Sequence, residues 1–122
     1  MDHYQLVRAI AVGRVAVGAS LIALPGFAGK QWIGDAAADR RTKVIIRAFG
    51  VRDLALGAGT LQALDTGQPA RPWVVMGAVS DVVDLAATAF AIRALGARRA
   101  LPVMLVAAGA AVGGLLASEH VD

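Results

Sequence analysis

Five ionisable residues stand inside otherwise apolar stretches of this chain: Arg14, Arg52, Asp53, Asp81 and Asp84. Two kinds of chemistry are open to such a set. Asp81 and Asp84, three residues apart, share one face of a helix and can titrate as a coupled pair, which is what a proton or substrate path needs. Arg14 and Arg52 supply opposite charge, so the same five residues can equally form an ion-pair network that fixes how the helices sit against one another. Ionisable residues within membrane spans are functional candidates by default. The near-cancellation of charge and the small size of the chain favour the structural role, and the two roles are compatible.

Other chemistry is poorly provided for. There is no cysteine, so disulfides, thiolate metal sites and thiol catalysis are excluded together. The two histidines, His3 and His120, lie near the ends of the chain and make a poor metal site. No Ser-His-Asp arrangement can be assembled, and the glycines follow no strand and show no phosphate-loop spacing. The expectation is therefore no catalytic residue, no metal and no cofactor.

The elements that must position the charges are four apolar segments. They run over about 4–24, 43–64, 72–95 and 100–118, each close to the ~20 residues that cross a bilayer core. Pro25-Gly26 ends the first segment, Asp65 to Pro69 is a turn-rich connection, and Pro72 suits a first helical turn. The fourth segment carries no charge at all. No segment has the continuous charged face that a helix in water requires. The fold expected is an all-α, integral membrane four-helix up-down bundle forming a single domain over residues 1–122.

Antiparallel neighbours in such a bundle bring all five ionisable residues to one depth, near the midplane. An Asp at the centre of an inserting helix costs about 2.5–3.5 kcal/mol, while each large apolar residue returns only about 0.3–0.6. With two aspartates, the third segment needs partners or protonation, and Arg14 and Arg52 are the partners available. Asp81, Asp84 and Thr88, with Gly77, should face the bundle interior. Gly50, Asp53, Gly57 and Thr60 form a corresponding stripe on the second segment, with Arg52 about 100° away. Gly109 and Gly113 make a small-xxx-small spacing on the fourth, a surface for close helix approach.

Composition agrees with this organisation. Hydrophobic residues make up 57% of the 122 and mean hydropathy is +0.63, while aromatics are only 5%. Ala, Val, Leu and Gly therefore dominate, which suits close helix packing in lipid. The formal net charge of +3 does not indicate nucleic acid, because the basic residues flank or enter apolar segments instead of forming a patch. Ten Arg to two Lys in an Ala- and Gly-rich chain suggests a bacterial source.

Orientation follows from the connections. Lys30, Arg40, Arg41 and Lys43 lie between the first two segments, and Arg93, Arg98 and Arg99 lie about the end of the third. Only Arg8 and Arg71 lie toward the other side. Both connections are therefore expected in the cytoplasm, with N- and C-termini outside a bacterial inner membrane. Trp32 on one side, with Tyr4 and Trp73 on the other, suits an aromatic belt. Arg47 can snorkel to headgroups. The N-terminal segment does not read as a secretory leader, since a basic start is missing and Arg14 interrupts it. The run from Lys30 to Lys43 reads as an ordinary positive-inside connection, the other reading being a surface segment on anionic lipid. A short echo of Val15–Ala19 in Leu54–Ala58 does not amount to a transporter-type repeat.

The stretch Arg47 to Gly57, with Gly50-Val51-Arg52-Asp53 at its centre, together with Pro25 and the Asp81/Asp84 helix, resembles a bacterial family of small four-helix membrane proteins of unknown function. That family is loosely similar to DoxX-like membrane proteins. The resemblance implies a four-span protein and no activity. DoxX likeness hints at thiol- or redox-stress complexes, and the absence of cysteine weakens the case for direct participation in such chemistry.

The function expected is an accessory or scaffold protein of the bilayer, packing against a membrane-protein partner or copies of itself, with the fourth segment as the self-association face. The alternatives are a small proton-coupled transporter using Asp81, Asp84 and Arg52, or a lipid- or quinone-binding subunit with a cavity beside Arg52-Asp53.

Overall fold

A computed structural model describes residues 2–122, and among these every regular element is helical. The chain forms α1 (His3–Ala23), α2 (Pro25–Ile33), a 3-10 turn (Gly34–Ala38), α3 (Arg40–Thr66), α4 (Arg71–Phe90), the single turn α5 (Ile92–Leu95) and α6 (Ala97–Ser118). Three helices, α1, α4 and α6, are long and apolar enough to cross a membrane. At 27 residues α3 is the longest helix. Its charged residues set it apart from the other three.

Local chemistry explains most of the boundaries. Asp2 and Gln5 form a capping box at the start of α1: the Asp2 carboxylate accepts from the Gln5 N–H at 2.7 Å and the Gln5 side chain accepts from the Asp2 N–H at 3.2 Å. Asp39 caps α3 by accepting from the N–H groups of Arg41 at 2.7 Å and Thr42 at 3.2 Å. Asp39→Ala should cost about 1 kcal/mol and speed amide exchange in the first turn of α3, leaving that of α6 unchanged. Gly67 closes α3 in the left-handed region at φ 68°, where a side chain would be strained.

Two boundaries depart from the segment pattern. Pro25 ends α1, as expected, but it also opens α2, because a proline at the first helical position forfeits no hydrogen bond and already has a helical φ. The connection to α3 is thus a nine-residue helix and a 3-10 turn. It packs down through small residues, with Pro25, Gly29, Gly34 and Ala37 all buried. The third apolar segment also bends once, at Ala91 (φ −93°, ψ 6°), before α5 restores helical bonding. Gly96, at φ 81°, then turns the chain into α6. That helix begins three residues before the expected 100 and takes Arg98 and Arg99 into its first turn.

Helices α1 and α3 pack together most extensively, and α4 packs on α6. Gly18 meets Gly50 and Leu54 while Gly57 meets Ala11, so α1 and α3 run antiparallel. Val74 lies by Gly114, and the Ala70 N–H donates to the Val121 carbonyl at 2.9 Å, so α4 and α6 are antiparallel as well. Two small apolar clusters mark the ends of the molecule. Val7, Ala63, Ala70, Val74, Ala117 and Val121 form one, and Leu21, Ala37 and Ile46 the other.

The distribution of side chains is the reverse of a water-soluble core. Phe90 is 94% exposed and Phe27, Leu105 and Val106 each 73%, while Asp81, Thr60 and Thr88 are buried. Large apolar residues cover the outside, with polar and small residues between the helices. In water, so large an apolar surface is a liability; in a bilayer it is the solvent-matched face.

Candidate functional site

The site is built by α1, α3 and α4. Each contributes one or two of the five ionisable residues, and the structure brings all five together between the two apolar clusters. Arg14 on α1 grips Asp81 on α4 with both terminal nitrogens: Nη1 donates to Oδ1 at 3.1 Å and Nη2 to Oδ2. Arg52 on α3 does the same to Asp84, Nη1 donating to Oδ1 at 3.1 Å and Nη2 to Oδ2 at 2.6 Å. These are fork-to-fork pairs, the geometry that suits guanidinium to carboxylate best.

Asp53 joins the two forks into one network. Its Oδ1 lies 3.6 Å from Arg14 Nη1 and 3.4 Å from Arg52 Nη2. Both contacts are longer than those of Asp81 and Asp84. Two guanidiniums therefore face three carboxyl groups, one acid more than base. The Arg52 Nε–H is buried without an acceptor.

Smaller residues make room for the charges. The Arg14 guanidinium lies against Gly77, where an added Cβ would come within 2.9–3.1 Å of Nη2, Nε and Cζ. Gly77, expected as part of the inward stripe of α4, is thus the floor on which Arg14 rests. Gly50 and Gly57 let the α3 backbone approach α1, with an added Cβ 2.8 Å from the Gly18 carbonyl oxygen and 2.6 Å from that of Ala11 respectively. Thr60 is buried and bonds back to the Leu56 carbonyl at 2.7 Å.

The network extends toward α2 through aromatic residues. The Arg52 guanidinium stands 4.9 Å from the centre of the Phe49 ring, a cation–π contact. Phe49 meets Trp32 edge-on at 5.5 Å, and the Trp32 indole N–H donates to the buried Thr88 hydroxyl at 3.0 Å. Trp32 is therefore tied inward to α4, a role its expected place in an aromatic belt does not describe. Arg47 donates to the Ile22 carbonyl at 3.2 Å near the same end.

Several expectations meet a different geometry. An added Cβ at Gly109 would meet nothing within 4 Å, and one at Gly113 would meet only Ile10 and Leu6 side chains at 3.8 Å, so this spacing makes no close helix approach within the chain. That role falls to Gly18, which has Arg14 and Ile22 four residues away on either side and so shows no small-xxx-small spacing. An added Cβ there would stand 2.5 Å from the Gly50 carbonyl oxygen. Trp73 packs its ring on Gly59, another contact without a sequence signal beyond a buried glycine. His3 and His120, near the two ends of the chain, stack with ring centres 3.7 Å apart. Among the described residues no three His, Cys, Asp or Glu side chains group as metal ligands do.

Beside Arg14 lies a cavity of about 10 Å³, bounded by Val7, Ala11, Thr60, Trp73 and Val74 among others. It has room for a single water. A wider groove, about 230 Å³, opens on the surface between Gln62, Thr66, Gln68 and Trp73, on residues outside the network.

Fold and site together define an all-helical protein with three helices able to cross a membrane and an Arg/Asp network packed among its helices. The chain matches no protein-family model, no curated protein and no solved structure.

Proposed function

We propose that this is a bacterial inner-membrane protein, a four-helix up-down bundle in which α3 is the fourth span and both termini face outward. It acts as an accessory or scaffold subunit, docking on a membrane-protein partner or on copies of itself. The resemblance carried by Gly50-Val51-Arg52-Asp53 belongs to the same proposal. The observation that supports it most directly is a filled, ion-paired interior under an apolar exterior. The cavity beside Arg14 is about 10 Å³, too small for a solute or a quinone. The charges then set helix register, a role for which buried polar groups are known.

A second reading rests on the excess carboxyl group. Asp53, the carboxyl group outside both forks, gives Arg52 a second acid to hold, so that in a proton-coupled carrier Asp84 could exchange Arg52 for a proton. Native mass spectrometry of protein gently extracted from its own membrane tests the two. A reproducible complex with another membrane subunit, or a defined homo-oligomer, is expected. A monomer that moves protons in liposomes, with Asp84→Asn abolishing the flux while the bundle stays folded, would replace the accessory reading with the carrier.

A further inference from the structure

We infer that the end of the molecule formed by α2, the 3-10 turn, the start of α3, α5 and the start of α6 is a docking surface for anionic phospholipid headgroups. This rests on the membrane reading and adds a lipid specificity to it. The starting observation is how the twelve basic side chains are divided. Arg8, Arg14, Arg52 and Arg71 each lie within 4 Å of an aspartate, namely Asp65, Asp81, Asp84 and Asp122 respectively. The remaining eight are Lys30, Arg40, Arg41, Lys43, Arg47, Arg93, Arg98 and Arg99. Among the described residues none of these has a carboxylate partner, and all eight belong to this one end.

Two acids, Asp35 and Asp39, share the region, and Asp39 is already committed to capping α3. The cations are not placed for helix stability either. Arg40 and Arg41 open α3, and Arg98 and Arg99 stand in the first turn of α6, where the helix dipole disfavours positive charge. One is held by backbone instead of by acid, Arg47 donating to the Ile22 carbonyl, while the Arg99 guanidinium packs beside Gly34 and the Lys43 chain beside Gly26. Their charge is positioned and left uncompensated, which calls for an external anion.

The neighbouring apolar residues decide which anion. Leu24, Phe27 and Phe90 are strongly exposed at the same end, Phe27 three residues from Lys30 on α2. A nucleic acid or an acidic peptide would leave these side chains in water. A phospholipid takes both, phosphate on the cations and acyl chain on the rings, as interfacial helices do.

The test reconstitutes the full chain into phosphatidylcholine vesicles, and into phosphatidylcholine mixed with phosphatidylglycerol, and counts lipids retained by native mass spectrometry. Phosphatidylglycerol should be enriched about tenfold, given the worth of each juxtamembrane cation. The enrichment should fall as salt rises in the wild type, a measurement that needs no variant. The triple variant Lys30→Gln/Arg98→Gln/Arg99→Gln should lose most of it, and Arg8→Gln/Arg71→Gln, at the opposite end, should keep it. Equal retention of both lipids by an inserted protein overturns this inference and leaves the membrane reading standing. Inorganic phosphate displacing the bound lipid as well as phosphatidylglycerol does would also overturn it, in favour of a free-phosphate site. Failure to insert into either vesicle overturns both readings.

Discussion

Arg14→Leu is expected to cost about 3–5 kcal/mol of stability, the loss seen when one partner of a buried ion pair is removed. The side chains of Arg14 and Asp81 are only 12% and 10% exposed, so solvent screens the pair weakly. The variant leaves Asp81 without its guanidinium and takes from Asp53 its contact on the α1 side, leaving Arg52 as its remaining partner. It also empties the space over Gly77 that the guanidinium fills. The double variant Arg14→Leu/Asp81→Leu should recover most of the loss, because replacing a buried pair by apolar residues of similar volume is often neutral or stabilising. The measurement is a double-mutant cycle in detergent-mixture unfolding followed by circular dichroism. Arg52→Leu should cost less, since Arg52 is 28% exposed and Asp84 sits nearer solvent than Asp81. A single variant within about 1 kcal/mol of wild type, the level of an exposed surface pair, would mean that the network is not structural. Costs that simply add in the double variant would mean that the two residues are not coupled.

How much of this was readable from the residues depends on the kind of signal. The apolar runs behind α1, α4 and α6 are long and sparsely charged, so length and composition suffice to find them. The meeting of Arg14, Arg52, Asp53, Asp81 and Asp84 was also readable, because each lies near the middle of a segment of similar length and neighbouring segments reverse direction. Which carboxylate takes which guanidinium was not. Asp53 follows Arg52 directly in the chain, yet Arg52 forks onto Asp84, because successive helical residues point about 100° apart. The helix α2 is hidden for a different reason: its sequence, Pro-Gly-Phe-Ala-Gly-Lys-Gln-Trp-Ile, is short and rich in breakers, and what holds it lies outside it, with Pro25 and Gly29 buried and the Trp32 indole N–H bonded to Thr88. Glycine spacing left the covering partner open in one place. Gly109 and Gly113 have the pattern of a packing motif and Gly18 does not, but the chain approaches itself at Gly18. A spacing identifies a face without naming what covers it.

The glycine contacts between α1 and α3 therefore carry the second large effect, and Gly18→Ala is expected to destabilise even though Ala for Gly in a helix ordinarily gains about 0.5–1 kcal/mol. The atoms in the way are backbone: the Gly50 carbonyl oxygen at 2.5 Å, the Leu54 nitrogen at 2.6 Å and the Leu54 Cα at 3.0 Å. No rotamer change clears them, so α1 has to move off α3. Overpacking of this kind costs about 1–3 kcal/mol, occasionally more. Here the displaced helix also carries Arg14, one turn from Gly18, so the forked contacts to Asp81 stretch with it. Gly57→Ala meets the Ala11 carbonyl oxygen at 2.6 Å and should behave alike. Gly13→Ala and Gly109→Ala, where an added Cβ has nothing within 4 Å, should gain the ordinary helical increment. Unfolding all four variants under one set of conditions checks the pattern, and equal stabilities across the set would show that α1 and α3 do not approach this closely. Gly109→Leu adds a further separation. Within one chain its side chain enters open space, so loss of self-association with monomer stability unchanged would locate the contact between copies on the outer face of α6.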